Sequence, residues 1–135
     1  MSQENVELVR SIYARWGRGD FSSAEWAHPE IEFTIADLPA PVSRTGLAGM
    51  AEGYRSHWLS AWEEFRVEPE EYRELDDERV LVLSHFSGRG RTSGLDVRQM
   101  RTKGAELFHV RGQKVTRLVI WGHRERAFAE LGLSE

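Results

Sequence analysis

The sequence predicts an α+β domain in which a curved antiparallel sheet, with helices on one face, forms a cone around an apolar pocket. Three observations lead to this fold class. An apolar stripe at helical spacing, formed by Val6, Val9, Tyr13 and Trp16, opens the chain. The second half holds four long segments with strand character. The length of 135 residues fits one domain, assigned to residues 1–135.

The first half of the chain predicts helices around one short strand. The opening helix ends at Gly17, and a second short helix begins at Ser22, which has capping-box spacing to the glutamate three residues later. Pro29 stops that helix, because the residue before a proline disfavours helical geometry. Apolar and polar residues alternate over 31–35, which predicts a strand. Large apolar residues then recur every four positions over 47–62, which predicts another helix.

The second half predicts strands and a final helix. The strands cover residues 65–75, 79–90, 98–110 and 114–121, and the helix covers 123–131. Pro69 should break or bulge the first of these strands, since proline cannot donate to a ladder. The last hairpin turns around Gly112, and Gly132 ends the helix. Residues 80–83 are apolar on both faces of their strand, so both faces should be covered.

Composition excludes several classes of function. The sequence holds no cysteine, which removes disulfides and thiolate metal sites and suits a cytoplasmic location. A formal net charge of −4 gives no basic footprint for nucleic acid. Apolar runs are too short to span a membrane, and the N-terminus lacks the pattern of a signal peptide. Histidine spacing and glycine placement fit neither a metal site nor a phosphate loop, so we expect no metal and no other cofactor.

Four local strings resemble those of SnoaL-like proteins. They are residues 16–21 (WGRGDF), 88–94 (GRGRTSG), 108–115 (FHVRGQKV) and 127–133 (AFAELGL). Their order and spacing, over nearly the whole chain, resemble the ketosteroid-isomerase and SnoaL-like polyketide-cyclase branch of the nuclear transport factor 2-like superfamily. The resemblance implies a cone-shaped fold with a pocket for a small apolar molecule.

A sharper resemblance is to ketosteroid isomerase, and it implies roles for particular residues. Residues 44–46 read Arg-Thr-Gly, and nine positions before their glycine, where the family has its base, stands Asp37. Tyr54 follows the same glycine by eight residues, at the place of a pocket tyrosine. Glu106, two residues before Phe108, takes the place of the acid in the oxyanion hole. A carboxylate at the rim of an apolar cavity can remove a proton next to a carbonyl.

The family's second oxyanion donor is a tyrosine of the first helix, and here the sequence departs from the pattern. Ile12 stands at that position, and Tyr13 follows it. One residue along a helix turns a side chain by about 100°, so the offset separates Tyr13 from a simple replacement.

Two functions therefore remain open. The first is a cofactor-independent isomerase or cyclase for a small carbonyl compound, with Asp37 moving the proton and Glu106 and Tyr54, with Tyr13, holding charge on oxygen. The second is a ligand-binding domain of the same fold without catalysis. A protein-interaction module is a third class, and Asp96 with Arg98 forms a rival pair of polar residues on one strand.

The inward phase of each predicted element gives the lining of the pocket, and the outward phase gives a dimer interface. The expected lining, together with Tyr13, is Trp16, Phe33, Ile35, Tyr54, Trp58, Phe108, Leu118 and Ile120. The sheet face that the helices leave open should pair two copies of the chain, because Leu107 and Trp121 point to that side.

Overall fold

A computed structural model describes residues 2–17, 25–37, 41–54, 62–90 and 99–133. Its elements are α1 (Ser2–Gly17), β1 (Ala27–Ile35), β2 (Val42–Thr45), α2 (Gly46–Tyr54), β3 (Trp62–Glu74), β4 (Arg79–Gly90), β5 (Gln99–Arg111), β6 (Lys114–Trp121) and α3 (Arg124–Leu131).

The strands form one curved, unclosed sheet in the order β2-β1-β6-β5-β4-β3. The predicted α+β class is confirmed, but the sheet is mixed rather than wholly antiparallel. β1 runs parallel to β6, with Ile35 opposite Ile120, while the other neighbouring pairs are antiparallel. No hairpin joins β1 to β6, so no tight turn forces these two strands into opposite directions.

The helices lie on both faces of the sheet, which corrects the expectation that they share one. α1 and α2 cover the inner face, whose buried cluster includes Val80 and Val82. α3 covers part of the outer face, where Phe128 joins a second cluster with Leu81 and Leu83. Because β4 is apolar on both faces, each face needs an apolar cover, and α3 supplies the second one. The prediction that both faces of residues 80–83 are covered is confirmed.

Several helix and strand boundaries lie where the sequence predicted them, at residues that favour turns. β4 begins at Arg79 and β6 covers Lys114–Trp121, as predicted, and α1 is described as far as Gly17. Gly112 and Gln113 have φ angles of 58° and 62°, as a two-residue hairpin turn requires. α3 stops at Gly132, whose φ of 70° allows it to close the helix through backbone bonds. The β3–β4 register shifts between Pro69 and the residue two positions on, which confirms the bulge.

Three boundaries in the first half of the chain differ from prediction. β1 begins at Ala27 and carries Pro29, which is tolerated because the β1–β6 ladder is interrupted there. β2 is an edge strand of four residues, too short for an alternating pattern to reveal it. In the periodic segment 47–62 the helix is described as far as Tyr54, residues 55–61 lie outside the described residues, and Trp62 belongs to β3 rather than to the helix. The short helix expected between Ser22 and Pro29 is wrong in its described part, because residues 25 and 26 form a turn and β1 follows, while residues 22–24 lie outside the described residues.

Candidate functional site

Glu106 is the one charged side chain that the described inner face buries completely, with 0% of its surface exposed. It lies on β5 between two apolar cross-strand partners, Val82 of β4 and Ile120 of β6. Alternation along β5 places it on the same face as Phe108, which is also fully buried. A carboxyl group has thus been taken wholly out of water among apolar neighbours.

Two hydroxyl groups meet this carboxyl. The Tyr13 hydroxyl donates to Oε1, and the Ser84 hydroxyl donates to Oε2 at 2.7 Å. Burial raises the pKa of Glu106 from its ordinary 4.5 to about 7, although both hydrogen bonds and the charge of Arg124 act in the lowering direction. Near neutral pH the group is therefore poised between its protonated and ionised forms, which suits it to hold or release a proton.

Aromatic rings fix the Tyr13 side chain beside Glu106. Tyr13 meets Trp16, Phe108 and Tyr72 edge to face, with ring centroids 5.0, 5.9 and 6.1 Å apart. Such contacts restrict the ring and so aim its hydroxyl. Ile12 and Tyr13 are both buried, yet Tyr13 carries the hydroxyl that reaches the acid. The one-residue offset in α1 therefore leaves the tyrosine–carboxyl contact in place.

The remaining described lining residues belong to the same inner cluster. Phe33 and Ile35 of β1 lie opposite Leu118 and Ile120 of β6, and all four are buried. The side chain of Tyr54 and the whole of Trp58 lie outside the described residues. The cavity expected inside this lining stays a prediction.

Asp37 follows β1 and is held by the start of α3. Its side chain is 3% exposed. Its Oδ2 accepts hydrogen bonds from the backbone N–H of His123, at 2.7 Å, and lies 3.1 Å from the Nδ1 of the same residue. Both oxygens face Gly122, where a Cβ atom would lie 3.6 Å from Oδ1 and 3.7 Å from Oδ2. Oδ2 is thus anchored by His123, and the carboxyl group lies over a residue without a side chain.

Asp37 and Glu106 lie at the same end of the inner face. Ile35 pairs with Ile120, which pairs with Glu106, and Asp37 follows Ile35 by two residues. From ordinary strand spacing and rise, the two backbone positions are separated by on the order of 10 Å. A small molecule is long enough to contact both carboxyl groups.

A comparison of sequence families decides the classification. The profile of the SnoaL-like domain matches residues 9–118, which hold the second half of α1, with Tyr13, and the strands that carry Ser84 and Glu106. The chain belongs to the SnoaL-like family. A search of curated proteins returns no significant match.

Solved structures share the fold of this SnoaL-like chain. A phenazine biosynthesis-related protein from Pseudomonas aeruginosa has a TM-score of 0.75 at 14% identity, covering 99% of this chain and 84% of its own. TerC, co-crystallized with polyporic acid, has a TM-score of 0.71 at 21% identity, covering 95% and 97%. An NTF2-like protein from Burkholderia xenovorans LB400 has a TM-score of 0.67 at 27% identity, covering 89% of each chain. Together with the family match, this fold supports an enzymatic or ligand-binding role.

Sequence reasoning did not identify two residues of the candidate site, for different reasons. Ser84 stands in the inward phase of β4, two positions from Val82, so a polar residue among apolar ones was a usable signal. His123 meets Asp37 across 86 residues of sequence, and no local pattern indicates that contact. Asp96 and Arg98, the rival pair, lie outside the described residues.

Two further searches concern the described part of the chain. No group of three or more histidine, aspartate or glutamate side chains there is arranged to hold a metal ion. None of the helices there is both long and apolar enough to cross a membrane.

Proposed function

We propose that this SnoaL-like domain is a cofactor-independent acid–base enzyme that isomerises or cyclises a small apolar carbonyl compound. The observation that carries the proposal is Glu106, a fully buried carboxyl with a pKa of about 7 and two hydroxyl partners. A carboxylic acid that keeps its proton near neutral pH can donate a hydrogen bond to a developing oxyanion.

In this mechanism the carbonyl oxygen of the substrate enters between Tyr13 and Glu106, which bond each other in the structure. The tyrosine hydroxyl and the protonated acid then both donate to that oxygen. Asp37 removes the proton from the neighbouring carbon, so the C–H electron pair moves into the enolate and the negative charge reaches the held oxygen. His123 fixes Oδ2 of the base, which leaves Oδ1 to accept the proton. Tyr54 is proposed as a further donor in the pocket.

The test is exchange of the acidic C–H protons of small cyclic ketones with deuterated water, followed by proton NMR. Asp37→Asn keeps the shape of the base but cannot take the proton, so the rate should fall about 100-fold or more. Glu106→Ala should also cost about 100-fold, and Glu106→Gln less, because the amide can still donate. Glu32→Gln, on an exposed β1 side chain, is the matched control and should leave the rate unchanged. Native protein without detectable exchange would remove the enzymatic proposal.

The alternative is a domain that binds a ligand without catalysis. The burial of Glu106 favours this alternative. Glu106 is completely shielded from solvent, and the Tyr13 hydroxyl is already bonded to it. The co-crystallization of TerC with polyporic acid supports a small organic ligand for this fold. In this case ligand affinity, measured by calorimetry, should fall in Trp16→Ala and Phe108→Leu and stay unchanged in Asp37→Asn.

We also propose that two copies pair through the outer face of the sheet. A groove of about 420 Å³ lies there, edged by Arg79 and Arg117, and the small exposed parts of Leu107, Val119 and Trp121 form its floor. An apolar floor beside charged residues is the composition of a contact surface. Light scattering at micromolar concentration should give twice the mass of one chain, and Arg117→Glu at the rim should shift the equilibrium towards one chain. A native protein with the mass of one chain would contradict pairing.

A further inference from the structure

Arg124, the first residue of α3, lies on the outer face of the sheet directly behind the Glu106 site. Its side chain is only 15% exposed. Its Nε donates to the backbone oxygen of Gly104 at 3.3 Å, and its Nη2 donates to the backbone oxygen of Ser84 at 2.9 Å. The same Nη2 also donates to the carboxylate of Glu70. The guanidinium is therefore bound to two strands of the sheet and to one acidic side chain.

Ser84 connects this guanidinium to the buried acid. Its backbone oxygen accepts from Arg124 on the outer side, while its hydroxyl donates to Glu106 at 2.7 Å on the inner side. Ser84 and Gly104 are direct cross-strand partners, so Arg124 ties β4 to β5 at the level of the serine. A shift of Ser84 relative to Gly104 would move the serine hydroxyl away from the carboxyl of Glu106.

Close packing leaves little freedom at the same level. A Cβ atom on Gly104 would lie 2.7 Å from the ring of Phe86 and 2.8 Å from the backbone oxygen of Trp121. The strand therefore needs a glycine there, and the fit of its neighbours holds the carbonyl that Arg124 binds.

The charge of Arg124 also acts on Glu106 directly. A guanidinium stays protonated throughout the working pH range, and a charge acts strongly across a poorly solvated layer such as this one. The positive charge favours the ionised carboxylate and so opposes the effect of burial on the pKa of Glu106. Glu70 partly neutralises it from outside, and the hydrogen bond from Arg124 lowers the pKa of Glu70. His85 Nε2 lies 2.9 Å from the same carboxylate.

We propose that Arg124 is a positioning residue for Glu106. It acts through the sheet, by its hydrogen bond to the backbone oxygen of Ser84 and by its positive charge, and Glu70 weakens the effect of that charge on Glu106. The inference rests on the proposed role of Glu106 as the group that holds the proton. It adds two residues to that role, Arg124 and Glu70. Both lie on the outer face of the sheet, where they would not touch a ligand bound on the inner face.

The other described groups around Glu106 come from α1 and β3. Tyr13 donates to it, and Tyr72, whose pKa is raised by burial, packs edge to face on Tyr13. The guanidinium of Arg10 stacks over Tyr72 with 4.4 Å to the ring centroid. None of these groups touches Arg124 through the bonds described above, so changes at Arg124 and Glu70 leave them in place.

The test follows the titration of Glu106 in the intact protein by carbon-13 NMR of labelled glutamate carboxyls, with Glu106→Gln to assign the signal. Arg124→Gln should raise the midpoint above about 7 by roughly half a unit or more, since a stabilising positive charge is lost. Glu70→Gln should lower the midpoint, since the guanidinium is no longer neutralised. Arg124→Lys keeps the charge without the planar fork of donors, so its midpoint should lie between those of native protein and Arg124→Gln.

Arg126→Gln is the matched control, because it removes the same charge two residues along α3 from a side chain whose described bond goes to the backbone oxygen of Asp37 and not to Ser84 or Gly104. Its midpoint should equal that of native protein. Unchanged midpoints in Arg124→Gln, or shifts of the same sign in Arg124→Gln and Glu70→Gln, would overturn the inference. If Arg124→Gln does not fold, an unchanged midpoint in the exposed Glu70→Gln overturns it alone. The titration needs no ligand, so its result is independent of whether ketone exchange is detected.

Discussion

Two glutamates on opposite faces of the same part of the sheet show how environment sets acidity. Glu106 on the inner face is fully buried, and burial raises its pKa to about 7. Glu70 on the outer face keeps 40% of its side chain exposed, and the hydrogen bond from Arg124 lowers its pKa. The two side chains have the same chemistry, and Arg124 acts on both. They differ in how far each carboxyl group is exposed to solvent.

On the inner face the described hydrogen-bond partners of the acid Glu106 are uncharged, whereas on the outer face Glu70 has basic side chains beside it. On the inner side, hydroxyl groups of Tyr13 and Ser84 partner the acid without neutralising it. On the outer side, Glu70 has Arg124 and His85 within bonding distance. A hydroxyl partner leaves the proton affinity of a carboxyl high when burial is complete, whereas a solvated cation reduces it.

The largest expected effect that sharpens this contrast is the pH dependence of stability. The pKa of Glu106 is raised in the folded state, so its stabilising contribution is complete below about 4.5 and is lost as pH rises through about 7. The difference corresponds to about 3 kcal/mol. Urea unfolding from pH 4.5 to pH 8 should show this loss in native protein and not in Glu106→Gln.

Glu32→Gln serves as the control for that experiment, because its exposed carboxyl lies on β1 away from the buried acid. It should follow the native curve over the whole range. Parallel curves for native protein and Glu106→Gln would mean that the carboxyl titrates alike in the folded and unfolded chains.

A smaller effect comes from two glycines near the site. Gly104→Ala places a methyl group 2.7 Å from Phe86 and 2.8 Å from a backbone oxygen, and should destabilise the fold by about 1–3 kcal/mol. Gly122→Ala meets only the Asp37 carboxyl, at 3.6 Å, an ordinary contact, and should fold normally. Thermal unfolding compares the two variants. Equal melting temperatures would show that the sheet can adjust to a methyl group at Gly104, so that close packing there does not fix the position of Ser84.

The parts of the fold that the sequence predicted are those set by local chemistry. The turn at Gly112, the stop at Gly132 and the strand bounds of β6 follow from residues that restrict the backbone or alternate in polarity. β2 was missed because four residues give too little alternation to detect. The direction of β1 could not be predicted, since it depends on β6, far away in the sequence.

The site divides in the same way. Alternation predicted that Glu106 and Phe108 share one face of their strand, and the resemblance placed that face in the pocket. The structure buries both side chains. Ser84 carried the same signal and was overlooked. The contact of Asp37 with His123 and the effect of the Arg124 charge on Glu106 join elements that meet only in the folded chain, so local spacing contains no trace of them.

The parallel pairing of β1 with β6 has a consequence for how quickly the chain folds. Ile35 meets Ile120 about 85 residues away, and closing so long a loop costs entropy before any contact repays it. β4, β5 and β6 are neighbours along the chain and are joined by antiparallel hairpin pairings, so they can assemble first. We expect β1 and its edge partner β2 to dock late. Until they do, the inner cluster lacks one wall, and the β5 acid is still open to water.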